Sequence, residues 1–280
     1  MTRKFHAPDS YLILATLVLV IFGVIMVSSA SVVESYQATG SNTYYFLRQT
    51  VFALIGLGFW FFLQRVDYHN YRALATTALV LSIALLLLVF VPGLSVEAGG
   101  SKRWIGAGNL TLQVTEVMKL GLIFYLAYWF EQKGQKIVSF YHTFLPFIML
   151  LAAICGLVIL EPDMGTSLVL VGIAVSMFFA AGGSWEHITM LIVGGTLAIW
   201  GLIWAAPYRA ARLLTFLNPA NDPLGAGYHI NQALIALGSG GFFGYGFGRS
   251  RQKFNFLPES SSDSIFAIAG EELGFFGISL

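Results

Sequence analysis

The residues most suited to chemistry stand near the end of the chain, in the polar run Leu257-Pro258-Glu259-Ser260-Ser261-Ser262-Asp263-Ser264. Asp263 is followed by an apolar stretch and preceded by the basic run 249–253. An aspartate has an ordinary pKa of about 3.9, so it is ionised at neutral pH and can act as a general base without tuning. An aspartate that enters a helix is more often a helix cap. Spacing alone leaves both interpretations of Asp263 open.

Ionisable side chains also occur inside the apolar runs, where each costs about 2.5–3.5 kcal/mol on insertion scales and is therefore a functional hypothesis. Glu116 and Lys119 share one helix face, so they can neutralise each other or reach other helices. Glu271 and Glu272 have no basic neighbour in the sequence. At least one of them needs a partner on another helix, such as Lys119, or stays protonated. Ion pairing that only fixes helix packing is the alternative for all four residues.

A turn between two apolar runs holds another pair of carboxylates, in Glu161-Pro162-Asp163-Met164-Gly165. Two carboxylates in so tight a turn could bind a cation. Asp163 could instead cap the helix that follows, and we favour the cap because aspartate is a preferred N-cap residue.

The elements that position these residues must lie in a membrane. The 280 residues are 57% hydrophobic and 10% charged, with a mean hydropathy of +0.75, whereas a soluble domain has about 25% charged residues. A chain of this length cannot enclose so much apolar surface in water. The net charge of +1 says nothing about a polyanionic partner, because the placement of charge matters more than its sum. We expect no nucleic acid partner. The single cysteine, Cys155, excludes an internal disulfide and a cysteine-based metal site.

The hydropathy pattern predicts an all-α, polytopic membrane helix bundle with about eight transmembrane segments. The predicted spans are Tyr11–Val27, Tyr45–Leu63, Ala73–Pro92, Leu110–Phe130, Thr143–Leu160, Thr166–Ala181, Ile188–Ala205 and a run that begins at Ile265. A long loop, from about Pro207 to Ser264, separates segments seven and eight. The eighth run has only about 16 residues, fewer than a full span needs. We therefore expect the chain to be truncated, with further helices missing.

Basic residues predict the orientation, because short cytoplasmic loops are enriched in lysine and arginine. The residues that mark alternate ends of the spans as cytoplasmic, with the N-terminus inside, are Arg3, Lys4, Arg65, Arg72, Lys133 and Lys136. The extracytoplasmic side then carries Arg48, Lys102, Arg103, Arg209, Arg212, Arg249, Arg251 and Lys253. This excess of positive charge outside predicts an anionic ligand there.

Within the long loop, a glycine-rich run from Gly238 to Gly248 follows a predicted short interfacial helix, Tyr228–Leu237. Glycine lets the backbone approach a ligand or a neighbouring helix closely. The run contains no Walker A sequence, and its spacing is not that of a dinucleotide fingerprint after a strand. Nucleotide binding is therefore not supported.

Taken in order, several motifs resemble the SEDS family of membrane proteins, FtsW, RodA and SpoVE. The matching pieces are Met26–Ser31, Gly100–Ile105, Gln113–Lys119, Glu161–Ser167, Arg209 with Arg212, Gly227-Tyr228, the glycine-rich run with Ser250–Lys253, Leu257–Glu259, Ser262-Asp263, Ile265–Ala267 and Gly270–Gly274. The pattern Gly-x-Gly-x-Ser-x-Gln-Lys is more similar to the division branch, FtsW, than to the elongation branch. Val114 departs from the usual proline of the family, and Ser264 from a common phenylalanine.

The resemblance implies a single SEDS transmembrane domain over residues 1–280, incomplete at its C-terminus, in a family with ten spans. It implies a peptidoglycan glycosyltransferase that polymerises lipid II, a disaccharide-pentapeptide on a polyprenyl diphosphate, at the outer face of the bacterial cytoplasmic membrane. By resemblance Asp263 is the catalytic base, and the candidate diphosphate ligands are Arg103, Lys102, Arg209, Arg212 and Lys253. Trp104 could stack on a sugar or anchor its loop, and Glu116 with Lys119 would line a cavity under the active face.

The resemblance also implies partners: a class B penicillin-binding protein, which is a transpeptidase, and other membrane proteins of the divisome. No residue cluster demands a cofactor, although a divalent cation, Mg²⁺ or Mn²⁺, could bridge the diphosphate and carboxylates. Two other functions stay open. The protein could be a lipid II flippase or other transporter, with the intramembrane acids and Lys119 as its path, or a scaffold that recruits the enzyme.

Overall fold

The computed structural model describes residues 9–98, 101–107, 110–204, 207–219, 225 and 227–279, and at residues 97, 98, 101, 102, 107, 110, 207–209 and 212 the backbone only. The helices are α1 Ser10–Ala30, α2 Val32–Thr39, α3 Tyr44–Leu63, α4 Arg72–Leu88, α5 Val114–Lys133, α6 Leu145–Leu160, α7 Met164–Ala180, α8 Trp185–Trp204, α9 Pro207–Leu217, α10 Tyr228–Gly240 and α11 Ile265–Ser279. The strands are β1 Ser95–Ala98, β2 Ser101–Ala107 and β3 Leu110–Gln113.

The chain divides into two compact units. Unit 1 comprises Met1–Arg65 and Leu202–Leu280, and unit 2 comprises Val66–Gly201. Each unit contains some of the residues that could take part in chemistry. Asp263 and Lys253 belong to unit 1, and Arg103 and Glu161 belong to unit 2.

The predicted helical membrane fold is confirmed. Among the described residues, five helices are long and apolar enough to span a bilayer: Ser10–Ala30, Tyr44–Leu63, Tyr68–Leu88, Phe140–Leu160 and Trp185–Trp204. α7 is apolar but shorter. α5 has 20 residues and carries charged side chains at both ends. The prediction of about eight spans remains a prediction.

A small antiparallel sheet, in the order β1-β2-β3, occupies the segment between α4 and α5. The hydropathy pattern predicted a loop here and a fourth span from Leu110, and both expectations are corrected. Leu110 pairs with Ala107 and Gln113 pairs with Trp104, so the backbone up to Gln113 is committed to β3. The helix begins at Val114, where proline would favour a helix start.

The core of unit 2 is built around one face of α5. Met118, Leu122, Leu126 and Phe130 are spaced four residues apart and are buried. Because helical residues at this spacing lie on one face, they form a continuous apolar stripe. The stripe ends at an aromatic cluster in which the ring of Phe130 lies 5.5 Å from that of Phe147 on α6 and 5.7 Å from that of Phe178 on α7.

In unit 1, α10 packs closely against α11 where Gly240 meets Gly270. A Cβ atom on Gly240 would lie 2.0 Å from the carbonyl oxygen of Gly270, so only glycine permits this approach. α10 confirms the predicted short helix, which begins at Tyr228 as expected and extends to Gly240.

The apolar run from Ile265 is a broken helix, which corrects the expectation of one continuous span. Gly274 has a φ of 69° and a ψ of −176°, outside the helical region. The freed carbonyls of Glu271 and Glu272 accept from the amides of Tyr245 and Gly246 at 3.0 and 2.9 Å. The glycine-rich run thus satisfies the backbone groups that the break exposes, as buried polar groups require.

We expect Gly240→Ala to destabilise the protein by about 1–3 kcal/mol or more, because the added methyl overlaps the backbone of α11. Gly238→Ala in the same helix is the matched control, since a Cβ there meets nothing within 4 Å. The control should be neutral, or more stable by at most about 1 kcal/mol. Thermal unfolding in detergent measures both variants, and equal midpoints would contradict the close packing of α10 on α11.

Candidate active site

Arg103 lies at an irregularity in the sheet of unit 2. On β2, Lys102 pairs with Glu97 and Trp104 pairs with Val96, so Arg103 is the extra residue of a β-bulge. Bulges often occur next to functional sites, where they re-aim a side chain. The Arg103 side chain is 28% exposed and reaches the turn between α6 and α7.

Asp163 in that turn has two partners at once. Its carboxylate caps α7 by accepting from the Thr166 amide at 3.0 Å and from the Thr166 hydroxyl at 2.7 Å. It also binds the Arg103 guanidinium, with Nη1 3.1 Å from Oδ2. Burial alone would raise the pKa of Asp163, but hydrogen bonds from Thr166 and Arg103 outweigh it and hold that pKa below its usual value. The favoured cap is confirmed, with an added role in orienting Arg103.

Glu161 is the residue of this site that sequence reasoning undervalued. It is only 2% exposed, and neither carboxyl oxygen has a hydrogen-bond partner among the described residues. Burial and, to a smaller extent, the negative charge of Asp163 raise the pKa of Glu161 to about 7, against the opposing positive charge of Arg103. The Nε of Arg103 is also buried without a partner in the described part of the chain. Unit 2 thus holds uncompensated polar atoms beside the Arg103–Asp163 pair.

Glu116 and Lys119 pair with each other on α5, with Nζ 2.8 Å from Oε1. The Glu116 side chain is 55% exposed and that of Lys119 27% exposed. Of the alternatives that the sequence left open for Lys119, the structure shows the pairing with Glu116, one helical turn away on the same helix.

The structure describes the remaining predicted site residues only in part. Trp104 follows Arg103 on β2 and is half-buried. Lys102 lies on β2, and Arg209 and Arg212 lie three residues apart on α9, but the side chains of these three lie outside the described residues.

In unit 1, Glu271 and Glu272 are almost fully buried, and each accepts several hydrogen bonds. Glu271 accepts from the Ser250 hydroxyl at 2.5 Å and from the Arg251 and Gln252 amides at 3.0 and 3.3 Å. Glu272 accepts from the Ser29 hydroxyl at 2.7 Å and from the Ser250 amide at 3.2 Å. Ionised carboxylates persist in such a site only when donors replace the lost water.

Lys253 completes this network, and its predicted role at the diphosphate stays a prediction. Its Nζ donates to Glu272 Oε1 at 3.0 Å, to the Ser29 hydroxyl at 3.1 Å and to the Gly248 carbonyl at 2.7 Å. An ammonium group has three donors, so all are used within the protein. With the side chain 4% exposed, Lys253 is a structural counter-ion of Glu272.

Serine side chains of the turn that carries Asp263 form hydrogen bonds that hold the turn in place. Ser260 donates to the Ala30 carbonyl at 3.2 Å, and Ser261 donates to Glu34 Oε2 at 2.5 Å. The Ser264 hydroxyl donates to the Pro258 carbonyl at 2.9 Å and lies 2.6 Å from His229 Nε2. These anchors fix the backbone on both sides of Asp263.

The Asp263 side chain itself is exposed. α11 begins two residues later, at Ile265, and the amides of Ala267 and Ile268 donate to the Ser264 carbonyl. Asp263 forms no hydrogen bond or ion pair with the described residues, so it does not act as a cap. The structure presents an exposed carboxylate on a fixed turn.

Within the described residues, no group of three or more His, Cys, Asp or Glu side chains is placed to hold a metal ion.

Comparison with known proteins decides the family. The profile of the FTSW_RODA_SPOVE family, described as cell cycle protein, matches residues 9–280. The chain belongs to this family. Stage V sporulation protein E of Bacillus subtilis is 42% identical over 277 residues, which cover 99% of this chain and 76% of that protein. A probable peptidoglycan glycosyltransferase FtsW of Geobacter metallireducens is 37% identical over 276 residues, which cover 99% of this chain and 74% of that protein.

Solved structures of the family have the same fold. A structure described as structural coordination of polymerization and crosslinking by a peptidoglycan synthase complex superposes with a TM-score of 0.73 at 26% identity, covering 98% of this chain and 74% of that one. The crystal structure of Thermus thermophilus RodA gives a TM-score of 0.65 at 26% identity, covering 99% of this chain and 71% of that one. The resemblance to the SEDS family inferred from motifs is confirmed.

The raised pKa of Glu161 predicts that the stability of the protein depends on pH. Its pKa is raised from 4.5 to about 7 in the folded protein, so the folded state binds the proton more tightly than the unfolded state. Stability should then be greatest near pH 4.5 and should fall as the pH rises towards 7, by on the order of 3 kcal/mol. Glu161→Gln should remove this slope and raise the unfolding midpoint at pH 8.

Thermal unfolding of the detergent-solubilised protein between pH 5 and pH 8 measures the effect. Glu186→Gln is the control, because Glu186 is an exposed carboxylate of the same unit. If the unfolding midpoint of the Glu161→Gln variant still falls as the pH rises, another titrating group causes the pH dependence.

Proposed function

We propose that the protein is a peptidoglycan glycosyltransferase that polymerises lipid II in cell division. Curated relatives named peptidoglycan glycosyltransferase FtsW support the reaction class. The observation that carries the proposal is the exposed carboxylate of Asp263, unpaired among the described residues, on a turn whose neighbouring serines are anchored. A general base needs a fixed position and access to the substrate, and the anchored turn and the exposure of Asp263 support this assignment.

In the proposed reaction Asp263 accepts the proton of the 4-hydroxyl group of the acceptor sugar. The oxygen attacks the anomeric carbon of the donor, a new glycosidic bond forms, and the bond to the polyprenyl diphosphate breaks. The diphosphate leaves with the bonding electron pair.

Negative charge develops on the diphosphate as the bond breaks, and fixed cations stabilise it. Arg103 is the described candidate that we favour, because its guanidinium is held by Asp163 at one nitrogen and is partly exposed. A guanidinium fork suits phosphate oxygens. Lys102, Arg209 and Arg212 remain candidates for the same role. Lys253 is left out, since its donors are used within the protein.

We place the reaction at the outer face of the cytoplasmic membrane, with the N-terminus inside, as the basic residues predict. The partner that we propose is a class B penicillin-binding protein, together with other divisome membrane proteins. A structural neighbour described as a peptidoglycan synthase complex supports an assembly of this kind.

One observation favours a second function, transport of lipid II. α11 is broken at Gly274, and discontinuous helices are common in transporters. The acids expected to form a path are nevertheless paired in the described structure: Glu272 with Lys253, and Glu116 with Lys119. The backbone groups at the break are also satisfied by the glycine-rich run. Glycosyl transfer therefore remains the proposed function.

Asp263→Asn should abolish glycan strands made from purified lipid II, because the amide cannot accept the proton at neutral pH. The unfolding midpoint should change little, since Asp263 makes no hydrogen bond with the described residues. Glu259→Gln is the matched control, an exposed carboxylate of the same turn, and should keep most of the activity. Polymerisation at the wild-type rate by the Asp263→Asn variant would refute the base assignment.

Arg103→Ala should lower the rate of polymerisation by about 10–100-fold, the usual effect of losing one charge-assisted contact to a developing anion. Arg103→Lys should recover only part of the rate, because an ammonium lacks the planar fork. Initial rates at varied lipid II concentration measure both variants. An unchanged rate for Arg103→Ala would remove this residue from the reaction.

A further inference from the structure

A second basic surface lies on the loop 245–256 of unit 1, which we call the arginine loop. Its backbone is held from beneath by the buried carboxylates. The Ser250 amide donates to Glu272, and the Arg251 and Gln252 amides donate to Glu271. Three successive backbone amides are thus fixed by groups that are almost inaccessible to water. The position of the side chains between them is set by the fold.

The outward face of the arginine loop carries two guanidinium groups. Arg249 and Arg251 are exposed, whereas Ser250 and Lys253 are buried. Neither arginine forms an ion pair with an acidic side chain in the described part of the chain. The oxygens of Glu271 and Glu272 contact the amides, serines and Lys253 beneath the loop and neither guanidinium. The Arg251 guanidinium lies 5.3 Å from the ring centroid of Tyr245 and is oriented by it.

Aromatic side chains flank the two arginines and are also exposed. Phe247 is 51% exposed, and Phe254 and Phe256 are both 56% exposed. In water this apolar surface would be unfavourable, but in a membrane protein it fits the boundary between headgroups and acyl chains. Tyrosine, tryptophan, lysine and arginine are the usual anchors at that depth, and the loop carries the exposed Tyr245 beside its arginines.

We propose that the arginine loop binds the phosphate of an anionic phospholipid from the surrounding bilayer. The guanidinium groups of Arg249 and Arg251 match phosphate oxygens, and the flanking rings contact the glycerol and upper acyl chain. Because the backbone is already fixed, little conformational entropy is lost on binding. A polyprenyl diphosphate has the same phosphate chemistry, so the test must separate the two sources.

The test uses the purified protein in phosphatidylcholine nanodiscs with increasing fractions of phosphatidylglycerol. Native mass spectrometry counts the phosphatidylglycerol molecules that stay bound and gives an apparent affinity. The double variant Arg249→Gln/Arg251→Gln should bind phosphatidylglycerol about 30-fold more weakly, at about fivefold for each arginine near an anionic surface. Both positions are exposed, so the substitutions leave the core unchanged.

Arg48→Gln is the matched control, an exposed arginine of the same unit whose guanidinium lies 5.8 Å from the ring of Phe52. It should bind phosphatidylglycerol like the wild type. In a second arm, undecaprenyl diphosphate is added as competitor, and we expect it to displace less of the bound phospholipid than an equal amount of added phosphatidylglycerol does. Equal affinity in the double variant and wild type, an equal loss in the Arg48 variant, or stronger displacement by undecaprenyl diphosphate would each overturn the proposal.

Discussion

Glu272 and Lys253 form an ion pair from which water is almost excluded, and much of unit 1 is arranged to compensate for that exclusion. Removing each ion from water costs several kcal/mol, which the pair recovers only if its remaining donors and acceptors are satisfied. Ser29 on α1, the Gly248 carbonyl and the Ser250 amide satisfy them. One pair therefore joins the first helix, the glycine-rich run and the last helix. Replacing either partner alone would leave a buried charge without a counter-ion.

Two features of function follow from this arrangement. The chain that leaves the network at Lys253 passes into a turn whose serines bond to α1, α2 and α10, so Asp263 projects from a backbone that cannot easily move. The same carboxylates hold the arginine loop, which leaves Arg249 and Arg251 on the outer surface. In unit 2, Arg103 is likewise positioned by an acid, Asp163, which is itself held by the first turn of α7. In both units a buried carboxylate fixes a functional group.

Hydropathy was sufficient to predict the long apolar helices, because a run of apolar residues is a local property of the sequence. The role of Asp163 as a cap was also predictable from local sequence, since an N-cap acts on residues two or three positions away. The pairing of Glu272 with Lys253 and Ser29 was not predictable, because it joins positions far apart in the chain beside a break at Gly274 that hydropathy does not record. Three features that lie apart in the sequence belong to one hydrogen-bond network: Ser29 on α1, the glycine-rich run with the residues that follow it, and the adjacent glutamates of α11.

The sheet between α4 and α5 was missed for a different reason. Two of its strands have only four residues, and strands of that length carry little alternation of apolar and polar positions. The bulge that re-aims Arg103 depends on register, which the sequence does not specify on its own. Glu161 was undervalued because its importance lies in burial without a partner among the described residues, a property that only packing creates.

We propose that the protein forms glycosidic bonds instead of moving lipid II across a bilayer. Incubation of the purified wild-type protein with lipid II in detergent micelles separates the two functions, because micelles have no second side to which a lipid could be moved. Separation of the products by size should show glycan strands longer than the starting disaccharide. Lipid II recovered unchanged by the folded wild-type protein would refute the glycosyltransferase proposal.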